Sequence, residues 1–534
     1  MQIREVSWAN FRRLPDAHIE VRNHLVLLGP NDTGKSSVVR ALHMCLGMAH
    51  GQAQAAITAR DFTDEAQPLT ITVTLDGIEA DDRAAFPDEI TAGTHDVLVV
   101  RLEATLDPAD PEQKTVSRCF PDSGHSRGPT KEQLETIGFH YVPASRSMLR
   151  ELGGSGGVVR SLLAGLDLVA DSAAFQAAAD EYRKALDGSA ALSGFRTELA
   201  GALSEALPVA VGVDEVRIVS DAEALEDPLT GVIVTIREGA RDVPLAEQSD
   251  GVRALSVMTL LSMSHKTAKI VAVDEPETHL HPTAQRAIAR TLRDSGGQRV
   301  FVTHSTSIAG EMNPLDIVAF RADRQPRQLP ITAPIAALDA TVRHWNHNLI
   351  EPLTARCVAV VEGVSDRIIV EAVAAVTGVD LNQLGVAVVE LGGASMFRFA
   401  HRLFGPAGFD VPLTGLLDED ARVRWAATLS VAPADVEASG YAVCDPDLEG
   451  VYIDQLGTAV VIAMLVASPL IGEKSLLASC GAPDTANITR DQLWAYCRHR
   501  NHKTHAALAV AAGLDTAQAV ALTPVATLLT LAGA

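Results

Sequence analysis

Cysteine is sparse and unpaired in this sequence. Cys45, Cys119, Cys357, Cys444, Cys480 and Cys497 stand singly, with no CxxC spacing. That argues against a structural zinc site or a disulfide framework and fits a reducing cytoplasm. Long apolar runs are missing too. The opening MQIREVSWANF has no apolar core of signal-peptide length. The most apolar stretch, AVVIAMLVASPLIG (459–472), is too short for a bilayer crossing and contains Pro469, so a buried helix is expected there and no membrane partner. Internal repeats and low-complexity tracts are absent. Basic charge is outweighed, 44 Lys and Arg against 67 Asp and Glu, for a net charge of −23. This counts only weakly against a nucleic-acid partner, because a basic groove can be local and acidic metal sites add negative charge.

What is present is a folded chain of 534 residues, 47% hydrophobic and 21% charged, long enough for two or three domains. Strands are expected at 19–29, 69–77, 96–106, 231–239, 269–277 and 298–305, and a helix at 35–47. Between about 159 and 207 the pattern is Ala- and Leu-rich helix. PRQLPITAPIAALD (326–339) reads as a linker, after which β/α alternation restarts as CVAVVEG, GVAVVELGG and VPLTGLLDED, the mark of a second α/β domain.

GPNDTGKS (29–36), between a strand and a helix, matches the phosphate-loop pattern. Gly29 and Gly34 let successive N–H groups face phosphates, Lys35 reaches them, and Ser36 offers a hydroxyl to Mg²⁺; Asn31 and Ser37 complete the contacts. IVAVDEPETHLHP (270–282) adds Asp274 for the Mg²⁺ shell and Glu275 to orient or deprotonate the attacking water. His304 ends the next apolar strand, where a histidine contacts the γ-phosphate or serves structure alone.

A second set of acids lies in the restarted domain. An apolar strand ends at Glu362, and Asp366 opens a helix, where it or Ser365 alternatively acts only as a cap. A later strand runs into Asp418, Glu419 and Asp420. In extended geometry Asp418 and Asp420 share a face and Glu419 points away. Carboxylates converging at the edge of a parallel sheet repel unless cations sit between them, and such hard oxygen ligands suit Mg²⁺ or Mn²⁺, singly or as a pair.

The order phosphate loop, EQSDGVRAL (247–255), VAVDEPETHLHP and FVTHS, with NFRRL (10–14) at the start, resembles an ABC-type ATPase of the DNA-repair branch. There Ser249 and Gly251 of SDGVR contact the nucleotide of a second protomer, with Asp250 where a Gly is usual. More than two hundred residues separate the phosphate loop from Asp274, against the compact spacing of transporter ATPases. Glu at one strand end and DxD at a later one resembles a Toprim domain. The two together, with FHYVPASR (139–146), resemble the OLD (overcoming lysogenization defect) family of ATP-dependent endonucleases.

The resemblance implies an α/β architecture: an ABC-type P-loop ATPase (1–150 and 226–345) with a helical dimerisation insert (151–225), then a Rossmann-like Toprim domain (346–534) with C-terminal helices. It implies Glu362, Asp366, Asp418 and Asp420 as metal ligands. In CDPDLEG (444–450) it implies Glu449 rather than Asp447 as a further ligand. Lys503 of NHKTHAA then stabilises charge on the scissile phosphate, the alternative being a solvated lysine. The cofactors implied are ATP with Mg²⁺, and two Mg²⁺ or Mn²⁺ ions at the Toprim site. The partners implied are DNA, a second copy in a homodimer or higher homo-oligomer, and in related systems a helicase. None of the five tyrosines lies in a topoisomerase-like element, which favours a nuclease. Two rivals remain: a DNA-binding ATPase with a scaffold Toprim-like domain, and an ATP-gated regulator without nucleic acid.

Overall fold

The computed structural model describes residues 1–107, 110–123, 127–143, 235–238, 241–253, 256–257, 269–278, 280–330 and 350–533, with scattered positions between 174 and 213. Most of the helical insert expected at 151–225 lies outside the described residues.

Two large sheets and a two-stranded antiparallel ribbon, Thr235–Glu238 with Arg241–Pro244, lie in the first half. Gln2–Ala9, Ala17–Glu20, Leu69–Asp76, Ile90–Thr91, Val97–Asp107 and Asp110–Cys119 form an antiparallel sheet. Leu69–Asp76 alternates buried and half-buried residues, as its Thr pattern requires. The second sheet runs in the order Pro326–Gln328, Ile317–Phe320, Leu25–Leu28, Gln298–Thr303, Ile270–Asp274, Phe139–Val142. All but its first strand are parallel. Its central strands are buried residue by residue, hence their unbroken apolar runs.

Two expectations change here. The single helix expected over 35–47 is α-helical only at Lys35–Leu42 and widens into a π-turn at His43–Gly47. Buried Arg118 accounts for this: its Nη1 donates to the carbonyls of Met44, Cys45 and Met48 from outside the helix. The linker expected over 326–339 begins instead as an edge strand, Pro326–Gln328, where a proline is tolerated. Residues 331–349 lie outside the described residues.

The second half is a four-stranded parallel sheet ordered Val386–Glu390, Cys357–Val361, Leu413–Asp418, Tyr441–Cys444. Its two faces belong to different cores. On one face Val358, Leu417 and Tyr441 share one apolar cluster with Val273, Phe301 and Ile317 of the second sheet. On the other face Ala359, Val361 and Leu416 pack with the C-terminal helices. The apolar stretch from 459 forms the helix Thr458–Ala467, with Val461, Ile462, Met464 and Leu465 buried. Among the described residues no single helix is long and apolar enough to cross a membrane.

Candidate functional site

The phosphate loop joins the Leu25–Leu28 strand to the Lys35–Leu42 helix. Gly34 adopts φ +100, a conformation that favours glycine, and the Leu14 side chain packs where a Cβ would stand. Lys35 is buried and its Nζ donates to the Pro30 carbonyl at 2.7 Å, holding the loop curled. Burial lowers the Lys35 ammonium pKa against the opposing fields of Glu275 and Asp274. Ser36 Oγ donates to Asp274 Oδ1 at 3.3 Å, bringing together two groups that lie far apart in sequence. Asp274 is pushed up by burial and by Glu275. Glu275 stands at φ +49, a strained conformation for a non-glycine residue, with its N–H on the Val302 carbonyl. Asn31 is exposed on the loop, and Ser37 Oγ accepts from Arg12 Nη1 at 3.1 Å. Arg12, Arg13 and Arg60 line a cavity of about 820 Å³ beside Gly34 and Ser37.

Sequence reasoning missed two groups in this site. Tyr141, on the neighbouring strand, donates its hydroxyl to Asp274 Oδ2 at 3.3 Å. Buried Glu277 accepts from Thr303 Oγ1 and from the His304 N–H, and lies 3.2 Å from His304 Nδ1, so it fixes the half-exposed His304 ring. The run DEPE carried the one available signal, a third acid without a stated task. Ser249 is exposed at a helix start, where its Oγ accepts from the Val252 N–H at 3.5 Å, and Gly251 is half-buried in the first turn.

The second acid set is assembled at the carboxyl ends of three adjacent parallel strands. Glu362 follows Val361, and its Oε1 accepts from the Asp418 N–H at 3.1 Å. Asp418 ends its strand and accepts through Oδ1 from the Leu448 N–H at 3.1 Å. Glu449, in the first turn of the helix Leu448–Leu456 that follows the third strand, is 1% exposed. Asp366 Oδ2 accepts from the Gly363 N–H at 2.7 Å, which is the capping role, but its Oδ1 is buried with no hydrogen-bond partner among the described residues. Capping therefore accounts for only half of this carboxylate.

Electrostatics follow from that crowding. Burial, then Glu362 and Asp366, push Asp418 up to about 8. Burial pushes Glu449 up to about 7 against the opposing field of Lys503. Glu362 and Asp366 are raised as well, by burial first and by neighbouring acids after. Lys503 sits among them, its Nζ 3.3 Å from Glu449 Oε2. Burial alone would lower its pKa; Glu449, Asp366 and Asp418 raise it instead. A solvated lysine does not describe it. As the side chains stand, the described residues contain no group of three His, Cys, Asp or Glu gathered closely enough to hold an ion, and Lys503 carries the balancing charge.

The extended geometry expected through Asp420 is not found. The strand stops at Asp418, and Glu419–Ala421 turns as a 3₁₀-helix, so the two-residue alternation ends there. Asp420 is exposed, although its charge still acts on Glu362. Glu419 pairs with Arg422 Nε at 2.8 Å. Asp447 is committed to structure: Oδ1 accepts from Gly450 N and from Trp494 Nε1, both at 2.8 Å.

A polar strut joins the phosphate loop to the start of the strand that ends at Asp418. Arg324, in the turn before Pro326–Gln328, donates to Asp32 of the phosphate loop through Nε (3.1 Å, carbonyl) and Nη2 (3.0 Å, carboxylate). From the same segment Arg321 Nη2 donates to the Asp410 carbonyl, and Arg327 Nε lies 3.6 Å from the Asp410 carboxylate. Asp410 leads into the strand that ends at Asp418. Asp32, Arg324 and Asp410 hold φ of +62, +60 and +51, three strained residues in one chain of contacts. A cavity of about 940 Å³ lies between the halves beside this strut.

Family models match three segments. Residues 1–136 match an AAA ATPase domain, and 163–309 an AAA domain described as putative AbiEii toxin, type IV TA system. Residues 353–420 match the Toprim domain of overcoming lysogenization defect protein-like chains. No curated protein matches the chain. Among solved structures, the C-terminal region of the Burkholderia pseudomallei OLD protein is 21% identical, covering 33% of this chain and 96% of its own, with a TM-score of 0.27. The corresponding region of the Xanthomonas campestris pv. campestris OLD protein is 26% identical, over 34% and 94%, at 0.27. The SMC head domain from Thermotoga maritima is 14% identical, over 60% and 94%, at 0.30.

Proposed function

From a chain with the ATPase-plus-Toprim layout of the OLD family, we propose an ATP-controlled, metal-dependent DNA endonuclease that hydrolyses or nicks phosphodiesters. The observation that carries this reading is the gathering of Glu362, Asp366, Asp418 and Glu449 around one lysine, with all four carboxyl pKa values raised. Two buried and two half-buried acids against one ammonium are a poor arrangement for stability and a suitable one for cations. The unpartnered Asp366 Oδ1 fits that use. Two Mg²⁺ or Mn²⁺ ions held there would supply nucleophile activation and charge neutralisation on the leaving 3′-oxygen. Glu362, Asp366, Asp418 and Glu449, with Asp420 at the rim, are the ligands in this reading. Lys503 then turns from the acids to the scissile phosphate.

In the ATPase, Gly29, Asn31, Gly34, Lys35, Ser36 and Ser37 hold the nucleotide, and Ser36 and Asp274 hold its Mg²⁺. Glu275 receives the proton of the attacking water, and His304, steadied by Glu277, meets the γ-phosphate. Ser249, exposed at its helix start, and Gly251 serve the nucleotide of a second protomer in a homodimer joined through residues 151–225. The strut from Asp32 to Asp410 supports nucleotide control of the Toprim edge. Cytoplasmic action on foreign or damaged DNA, as in phage defence or repair, completes the reading, with a helicase as a further partner.

Plasmid cleavage measured with metal and nucleotide varied independently tests this. Cleavage requires the divalent ion and disappears in Asp418→Ala/Asp420→Ala; unchanged cleavage by that variant overturns it. The absence of a closed metal cage among the described residues favours the second reading, a DNA-binding ATPase with a Toprim scaffold. That reading gains if wild-type protein binds DNA and never cuts it.

A further inference from the structure

Residues 498–505, RHRNHKTH, hold Arg498, Arg500, Lys503 and three histidines with no acid among them, in a chain of net charge −23. They form the end of the helix Arg490–Arg498, a tight turn, and the start of the helix Lys503–Gly513. The turn is closed by His499, whose carbonyl accepts from both His502 N (2.8 Å) and Lys503 N (2.9 Å). His502 stacks on Tyr496 at 4.4 Å and lies 5.4 Å from the His499 ring. Buried Ala506, Ala507 and Val510 lie on the face of the second helix that packs on the helix Val364–Val376, which Asp366 opens, so the turn is held at the rim of the acid cluster.

Arg498 has an unusual position at that rim. Its guanidinium lies 4.6 Å from the Trp494 ring centre, and Trp494 is pinned by its Nε1 bond to Asp447. Its nearest acid is Asp447 at 3.8 Å, and half of its side chain is exposed. Asp447 takes its two hydrogen bonds on Oδ1 and faces Arg498 with Oδ2 across 3.8 Å, beyond hydrogen-bond distance, so the Arg498 N–H donors are not committed to it. By contrast Arg490, which also lies over Trp494, is committed to Asp454 through two bonds of 2.9 and 2.6 Å. Arg500 is exposed with no ion pair among the described residues. A preoriented guanidinium and a second free one, beside a site built for cations, are complementary to a chain of phosphates.

We propose that the Arg498–His505 turn is the surface that receives the DNA backbone at the Toprim site, with Arg498 and Arg500 each contacting a phosphate that flanks the scissile one. Which phosphate is scissile rests on the nuclease reading; binding itself does not depend on cleavage. The test is fluorescence anisotropy of a labelled DNA duplex with the full-length chain in EDTA, as a function of salt. Arg498→Ala/Arg500→Ala lowers affinity, and the log–log salt slope falls by about 0.9 for each phosphate no longer engaged. Arg498→Lys keeps the slope, because the charge remains. Arg402→Ala, on an exposed position of the helix Phe397–Phe404 that packs on the opposite face of the sheet, keeps both affinity and slope. Wild-type affinity and slope in the double variant, with normal circular dichroism, overturn the proposal, as does a wild-type chain that binds no DNA. A wild type that binds with this slope yet never cuts overturns the nuclease reading and leaves the surface standing.

Discussion

The two acidic sites of this molecule solve opposite problems. At the phosphate loop the chain offers buried Lys35 and a curled backbone beside Asp274 and Glu275. Such a site is ready for a ligand that brings its own negative charge. At the Toprim edge the chain offers four raised carboxyls and one lysine, ready for a ligand that brings positive charge. The strain differs as well. The ATPase site keeps a residue in a left-handed conformation, Glu275, whereas the Toprim cluster keeps its strain in unbalanced charge. The sign of the missing charge thus separates two acid-bearing strand edges that look alike in sequence.

The comparison breaks most visibly when each site is removed alone. Glu275→Gln is expected to cut ATP turnover about a hundredfold or more, while metal-dependent cleavage in the absence of nucleotide survives. Measuring phosphate release and plasmid cleavage on the same preparation checks this. Next in size is the link. Arg321→Ala/Arg327→Ala removes both contacts to Asp410, so ATP is still hydrolysed but no longer alters the cleavage rate. A rate series with and without nucleotide reads this directly.

A smaller effect lies in pH. Asp418 has its folded-state pKa raised from 3.8 to about 8, so the folded chain holds that proton more tightly than the unfolded chain. The stability it contributes is greatest at low pH and is lost as pH rises from about 4 to about 8. The metal-free thermal midpoint should therefore fall across that window, more gently in Asp418→Asn, and Mn²⁺ should restore it most at pH 8. Smallest of all is Glu419→Ala. Among the described residues Glu419 pairs only with Arg422, at the surface, and the substitution should shift stability by no more than about 0.5 kcal/mol and leave cleavage unchanged.

Local pattern made much of this legible. The phosphate loop, the strand ends carrying Asp274, Glu362 and Asp418, and the restart of β/α alternation each lie within a short window, where strand period and turn residues speak plainly. The face assigned to Asp420 failed because a 3₁₀-turn begins one residue after Asp418. Contacts made by folding were hidden: Tyr141 to Asp274, Lys503 among the acids, Arg324 to Asp32. A signal existed for the last, since Arg321, Arg324 and Arg327 recur every three residues in a polar turn. The tie of Arg118 to the π-turn had no signal at all, because a buried arginine in an antiparallel strand looks like an ordinary exposed one.

The central claim is that the Toprim acids are arranged for cations, and Mn²⁺ binding to the nucleotide-free chain, followed by electron paramagnetic resonance, tests it most directly. The account predicts saturable binding in the wild type, retained in Lys35→Ala and abolished in Glu362→Gln/Asp418→Asn. Equal Mn²⁺ binding by wild type and the Glu362→Gln/Asp418→Asn variant would contradict it.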